Sequence, residues 1–409
     1  MLLVPVAIAV LAHVWSLNEP FLAEDFARQA RIHAHGDSQF SWLPSFADFQ
    51  DMPFFRPLVE LSFGLDFWLW GTSTTGYHLT NFVLFAIVCA LTTALSWRLV
   101  GDRFVAGVAG TLLAVSPVVS EVVVWVTGRG GMIPTIAVLG AALATLTPRR
   151  PRFLCLAPTL FLLGLFAKEW VVAFAPILVA MRIVVTRSPQ QLGLREAVRS
   201  TALLWPALVV YLLARALVLG KFIGGYAAGG GLFSQTSRGI VIDRLDYLVA
   251  LVLQTPETVV GGTARYLLAG AVLLLLAVGL LRVGKVLQAP ARIVVCVCLL
   301  WIAAVTCIHL PVVIDPVEFA DVRHVFPALP AMCMLLAMAC AGWRTVRWWA
   351  ALGLTTLFAI GLVSAAGEWR EAGRISETIG ADARQMAAPD QVRKLELHGI
   401  PPTLGRARL

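Results

Sequence analysis

Apolar runs of roughly the 17 to 25 residues that cross about 30 Å of hydrocarbon as a helix recur along almost the whole chain. Lipid offers no partner to a backbone N–H or C=O, so each run must close its hydrogen bonds within itself, as a helix does. The alternation by twos that marks a membrane barrel is missing. Composition agrees: of 409 residues 59% are hydrophobic and 14% charged, and the mean hydropathy of +0.81 lies far on the apolar side of a soluble domain. The expected fold class is all-α integral membrane, a polytopic helical bundle.

The runs fall near 1–17, 77–97, 104–116, 133–147, 153–167, 170–186, 200–219, 265–282, 292–310, 325–342 and 348–365, about eleven spans. The first has the length of a signal peptide, but it lacks a basic leading region, which favours a retained anchor. When loops are assigned alternately, one side receives Arg98, Arg103, Arg149, Arg150, Arg152, Arg182, Arg187, Arg195, Arg199, Arg282, Lys285, Arg292, Arg344 and Arg347. The positive-inside rule makes that side cytoplasmic. The other side receives a first loop, 18–76, with eight acids against three basic residues, a Gly-rich loop over 220–264 and the tail. The N-terminus is then inside and the C-terminus outside. The chain divides into a transmembrane domain, 1–365, whose first outer loop carries interfacial helices, and a small extracytoplasmic tail, 366–409.

The seven cysteines lie in apolar segments without zinc-like spacing and read as packing residues. Neither a metal site nor a cofactor is indicated. The net charge of +8 is scattered over short loops instead of forming a stripe, so membrane orientation explains it and nucleic acid is set aside.

Lys168 and Glu169 interrupt the apolar stretch GLFAKEWVVAF, 164–174. Basic clusters at 149–152 and 182–187 flank it, and both belong inside, so the chain between them goes out and returns with Lys168-Glu169 at the turn. One long tilted helix with a snorkelling lysine is the alternative. On the hairpin map, Glu24, Asp25, His78, Glu121, Arg129, Lys168, Glu169, Arg323 and His324 all fall at the outer level. Ionisable groups there are costly unless paired or functional, so their convergence marks a candidate site.

A carboxylate at that level can take a proton from an attacking hydroxyl, and a cluster of Arg, Lys and His can stabilise a leaving phosphate. Sugar transfer from a lipid phosphate needs both. No glycine motif opens a strand–helix phosphate loop, and GGYAAGGG, 224–231, reads as a flexible outer loop or lid.

The ordered stretches FFRPLVELSFGLDFWLWG (54–71), GYHLTNFVLF (76–85), SPVVSEVVVWVTGRGG (116–131) and LFAKEWVVAFAP (165–176), with a weaker echo at DVRHVFPALP (321–330), resemble the GT-C superfamily of polyprenyl-phosphate-sugar-dependent glycosyltransferases. The likeness is to its protein O-mannosyltransferase-like branch, the bacterial relatives of the transmembrane and tetratricopeptide-repeat mannosyltransferases. The resemblance implies a GT-C-like architecture in a membrane such as the bacterial inner membrane. It also implies a polyprenyl-phosphate-linked sugar as donor, a glycan, lipid or protein as acceptor, and inversion by single displacement.

The first acidic pair of the family falls on Glu24 and Asp25, and the resemblance implies that Asp25 binds the acceptor or acts as the general base. Arg56-Pro57, Tyr77-His78, Asn81, Glu121, Gly128-Arg129 and Lys168-Glu169 match its other elements. Arg129, Lys168, Arg323 and His324 are the expected donor-phosphate ligands, with Arg56, His78, Glu121 and Glu169 supporting. The chain departs from the family at Ser116, where His is common, and at Gly131, where an acid is common.

Competing readings remain at this stage. Glu24 and Asp25 also suit a helix N-terminus. Glu121 and Arg129 stand eight residues apart, which suits an ion pair. Asp48, Asp51 and Asp66 are expected to face solvent or cap short helices. Arg215 snorkels or meets the donor, and His13 and His309 are packing residues. A lipid-linked-sugar flippase and a GT-C-like assembly subunit without activity are the rival classes. A flippase predicts inverted repeats and charges near the midplane.

Overall fold

In the computed structural model the described residues are 2–34, 54–147, 151–186, 201–222, 249, 252–253, 262–287, 291–309, 322–387, 403–404 and 407–408. They form helices α1 (Leu3–His13), α2 (Glu24–Ala34), α3 (Pro57–Trp70), α4 (Thr74–Val100), α5 (Arg103–Ala114), α6 (Val119–Val124), α7 (Arg129–Thr145), α8 (Pro151–Ala167), α9 (Phe174–Thr186), α10 (Leu204–Leu219), α11 (Gly262–Val286), α12 (Ala291–Ile308), α13 (Leu329–Gly342) and α14 (Arg347–Ala387). A single antiparallel pairing of two-residue strands, Thr403–Leu404 with Ala407–Arg408, closes the described chain.

Among the described residues six segments are long and apolar enough to cross a membrane: Thr74–Val100, Val126–Thr145, Gly262–Val286, Ala291–Ile308, Val322–Gly342 and Arg347–Asp382. Four shorter apolar helical stretches, Leu3–Asn18, Arg103–Ala114, Cys155–Ala167 and Leu204–Leu219, pack among them. The chain is an integral membrane protein. Asp48, Asp51, the Gly-rich stretch 224–231 and the KLEL alternation at 394–397 lie outside the described residues.

Contacts between helices fix which ends share a level. His13 Nε2 lies 3.2 Å from the Ala114 carbonyl, so α1 and α5 finish together. Leu160 lies against Gly140 and Ala137 against Gly164, which makes α7 and α8 antiparallel. Arg98 and Arg182 donate to the carbonyls of Leu146 and Thr145, at 2.9 and 3.3 Å. The far end of α9 therefore returns to the level where α4 and α7 finish. That is the expected hairpin about Lys168, and one continuous tilted helix is excluded. Its turn is an extended residue, Lys168 at φ −163°, followed by a 3-10 turn over Glu169–Ala173.

α13 runs through the middle of the bundle, and all fourteen of its residues are buried. It is apolar on every side, as a helix enclosed by others must be. Gly279 of α11 and Gly342 let two backbones meet: a Cβ on Gly279 would fall 2.4 Å from the Ala339 carbonyl oxygen. Small residues permit such approach where lipid provides no hydrophobic force between helices.

α14 differs from expectation. It continues through the division placed at 365 and runs for 41 residues, about 61 Å at 1.5 Å per residue. Trp369 and Ala372 explain the extension, since they pack with Leu22, Val124 and Trp125. The tail thus begins as the far end of the last span, projecting on the side of the bundle where Asp25 sits.

Candidate active site

The chain from α1 to α2 passes through Ala23, whose φ of +48° is rare for a residue with a Cβ. The turn delivers Asp25 into the bundle and leaves Glu24 at the surface; Asp25 is 2% exposed. Asp25 Oδ1 accepts from both the backbone N–H and the hydroxyl of Thr127, each at 2.8 Å, and Oδ2 accepts from the Leu22 N–H at 3.1 Å. The carboxylate therefore clamps the α6–α7 connection and is more than a cap for α2. Burial raises its pKa to about 6, against the pull of Thr127, Leu22 and Arg28. A carboxylate that titrates near neutrality suits proton transfer.

Thr127→Val removes the hydroxyl and leaves the backbone donor. The pKa of Asp25 should then rise above about 6, and the acid limb of any activity profile should move to higher pH by the same amount.

Thr127, the residue that Asp25 holds, borders a cavity of about 340 Å³. Phe54, Val59, Trp125 and Thr127 form part of its walls, Gly128, Gly130 and Gly131 a bare backbone floor, and Glu24, Arg28, Arg31, Arg56, Lys168 and Arg323 its charges. Five cations line it against one acid, and with Glu60, Glu121 and Glu169 behind them a small excess of positive charge remains, turned toward the cavity.

Three of the cations are held by carboxylates. Arg56 grips Glu169 with both Nε and Nη2, at 3.0 and 2.5 Å, while its guanidinium lies 3.9 Å over the Phe54 ring. Glu121 accepts from the Arg323 backbone N–H at 2.7 Å and from Nη1 at 2.6 Å. Arg28 pairs with Glu60 on α3. Bidentate grips of this kind fix where the cations point. Burial pushes the Glu169 carboxyl up, but Arg56 and then Lys168 overcome it and hold the group at about 2.

Lys168 sits at the break between α8 and the 3-10 turn, 6% exposed. Burial, then Arg56 and Arg323, lower its pKa to about 7, opposed by Glu169 and Glu121. An arriving phosphate would restore its charge, since a nearby anion favours the ammonium form.

Some expected site residues stand elsewhere. Arg129 was expected at the donor phosphate and is instead wholly buried, with Nη1 2.6 Å from Asp66 Oδ2 and other donors on the carbonyls of Tyr77, Ser62 and Val126. Its donors brace the glycine floor from behind. The Glu121–Arg129 pairing is likewise replaced, by Glu121–Arg323 and Arg129–Asp66. Asp66 is 1% exposed and does not face solvent. Removing one partner of a fully buried pair strands the other, so Asp66→Asn should cost about 3–5 kcal/mol, read as a lowered unfolding temperature.

His78 is buried beside the backbone of Glu19 and Pro20 and does not line the cavity. His324, expected as a phosphate ligand, is also buried, its ring 5.2 Å from that of His309, and does not line the cavity. His13 is a packing residue, edge-on to Phe85. Arg215 is 2% exposed and donates to the Tyr211 hydroxyl at 3.3 Å.

The sequence reading overlooked Thr127, Arg28 and Arg31. Glu24, Arg28 and Arg31 follow at helical spacing on one face of α2, a signal the stretch EDFARQAR carries. Thr127 carries no such signal, because its partner lies 102 residues away.

No protein-family model matches the chain. It is 39% identical over 75 residues to mouse protein O-mannosyl-transferase TMTC2, 18% of this chain and 9% of that protein. It is 31% identical over 137 residues to the Caenorhabditis elegans protein O-mannosyl-transferase F38B6.6, covering 33% and 20%, and 30% identical over 149 residues to Drosophila melanogaster protein O-mannosyl-transferase Tmtc1, covering 34% and 17%. The chain thus matches a fifth or less of the length of these relatives.

The crystal structure of ArnT from Cupriavidus metallidurans in the apo state superposes with a TM-score of 0.59 over 97% of this chain and 81% of that one, at 15% identity. The helical scaffold is therefore the ArnT fold. Scaffold and matched segments are thus similar, respectively, to ArnT and to parts of protein O-mannosyl-transferases.

Proposed function

We propose that the chain is a membrane glycosyltransferase that moves a sugar, mannose or another hexose, from a polyprenyl-phosphate donor to an acceptor hydroxyl on the extracytoplasmic face. The observation that carries this reading is a cavity rimmed by braced cations, one wall of which, Thr127, is held from behind by the buried Asp25 carboxylate. The protein O-mannosyl-transferases similar to parts of the chain support it by their names.

In the proposed reaction the acceptor oxygen attacks the anomeric carbon as the bond from that carbon to the phosphate oxygen breaks. The bonding pair leaves with the polyprenyl phosphate, and the acceptor proton goes to Asp25. Attack opposite the leaving group inverts the anomeric configuration. Lys168, Arg56 and Arg323 line the cavity and would meet the charge that develops on the departing phosphate. Arg129, Glu121 and Glu169 act behind them as braces. Glu24, exposed at the mouth, is placed to meet the acceptor. The acceptor is a glycan, lipid or protein with a free hydroxyl. Atoms and charge balance in this step without a cofactor.

The proposed topology has about eleven spans, with the basic end of the bundle in the cytoplasm, the N-terminus inside, the tail outside, and the whole in a bacterial inner membrane. The transmembrane domain then carries the site, and the part of α14 beyond 365 belongs to the extracytoplasmic tail.

The test is a panel of labelled polyprenyl-phosphate hexoses incubated with the purified chain and mixed hydroxyl acceptors. Transfer of label from the lipid phase for at least one donor is expected, and no transfer from any of them would overturn the assignment. A cysteine placed at 168 should react with a membrane-impermeant reagent from the outside only.

A further inference from the structure

At the end of the bundle remote from the Asp25 cavity, α11, α13 and α14 enclose an apolar groove of about 420 Å³, lined by residues that include Val272, Leu276, Trp343, Gly353 and Leu357. A Cβ added to Gly353 would meet nothing within 4 Å, so the groove is open at that point. Its rim is aromatic and cationic. Trp343 is tied across by its indole N–H to the Leu275 carbonyl at 3.4 Å, and the Arg282 guanidinium lies 4.3 Å over its ring. Arg344 and Arg347 follow within four residues, Arg347 stacked 4.9 Å from Phe104, and Arg292 lies against Gly284, two residues past Arg282.

No Asp or Glu occurs over 262–314 or 322–367 to offset these charges. Asp102, on the element beside Phe104, is engaged by the Val105 N–H. Among the described residues the groove runs from an apolar slot to a rim where cations outnumber carboxylates, the profile of a molecule with an acyl chain and a negative headgroup.

We propose that this groove binds one anionic glycerophospholipid of the leaflet at the basic end. An acyl chain lies in the slot past Gly353, and the phosphate lies at Arg282 and Arg344. Any lipid tail can cover an apolar flank, so the rim supplies the selectivity. A zwitterionic headgroup brings its own ammonium and gains little there, whereas each arginine near an anionic headgroup contributes about fivefold. The sugar donor is not the occupant, since its phosphate must reach Lys168 at the opposite end. The site stands or falls independently of the transferase reading.

The test uses the full chain in detergent and phosphatidylglycerol carrying a photoreactive group in its acyl tail. Crosslinks are expected on 272–276 or 350–357, competed by unlabelled phosphatidylglycerol about tenfold better than by phosphatidylcholine. In native mass spectra, Arg282→Gln with Arg344→Gln should reduce retained phosphatidylglycerol by an order of magnitude, and uncharged Gly353→Leu should abolish its retention. Equal competition by phosphatidylcholine would mean bulk lipid on a greasy flank and would overturn the proposal. Displacement by polyprenyl phosphate in preference to phosphatidylglycerol would overturn it too. The crosslinking is done on the unaltered chain, so a variant that fails to fold leaves it decisive.

Discussion

Asp25→Asn should reduce kcat by about 10²–10⁴-fold, the range attributable to a positioned general base, while donor binding changes little and the unfolding temperature falls modestly, because the amide NH2 cannot accept from the Leu22 N–H. The amide keeps an oxygen where Thr127 donates twice at 2.8 Å, so the α6–α7 connection stays clamped, but it cannot accept the acceptor's proton. The readouts are initial rates with a polyprenyl-phosphate hexose, equilibrium binding of the same donor, and a thermal melt. Full activity in this variant would remove Asp25 from the mechanism. Lost activity with lost donor binding would make it a structural clamp alone.

The second large effect belongs to Lys168. Lys168→Met should weaken donor binding by about 1.5–3 kcal/mol, roughly 10- to 100-fold, the worth of a hydrogen bond to a charged group. The pH dependence follows from the signs of two shifts. In the proposed mechanism Asp25 acts deprotonated, and its pKa is raised to about 6, so activity should grow as pH rises through 6. Lys168 must be protonated to hold phosphate, and its pKa is lowered to about 7, so activity falls as pH rises past 7. The profile of kcat/KM should be a narrow bell between those values. Lys168→Arg keeps its charge throughout this range and should flatten the alkaline limb, and an unchanged limb would show that another group titrates there.

Much of the scaffold was legible in the sequence because lipid allows few alternatives. The apolar runs marked the helices, and the alternation of Arg clusters forced the return at Lys168 that the Arg182–Thr145 contact bears out. That the last helix runs on unbroken past 365 was not legible, since its packing there depends on Trp369 reaching Ser120, 249 residues earlier. The same limit applied at the site. Local order identified which charged residues gather at one level, but not how they pair. Arg129 and Glu121 are two helical turns apart in sequence, yet the chain bends at Trp125 to Gly128, where Asn81 donates to the carbonyls of Val123, Trp125 and Val126, and turns them to different partners. Burial then separates the cations that face the cavity, Arg56, Lys168 and Arg323, from Arg129, which cannot reach it.

Each of Arg28, Arg56 and Arg323 has a carboxylate on another element behind it, so the rim is oriented before any ligand arrives. Preorganised charge of this kind stabilises a developing anion without reorganisation during the reaction.

The most direct measurement is a single turnover of the purified chain with a polyprenyl-phosphate hexose labelled in both the sugar and the lipid, in vesicles with acceptor present. One polyprenyl phosphate should be released for each sugar transferred, and the new glycosidic bond should carry the inverted anomeric configuration. Doubly labelled donor that crosses the bilayer with its sugar–phosphate bond intact, or a product of retained configuration, would contradict the account.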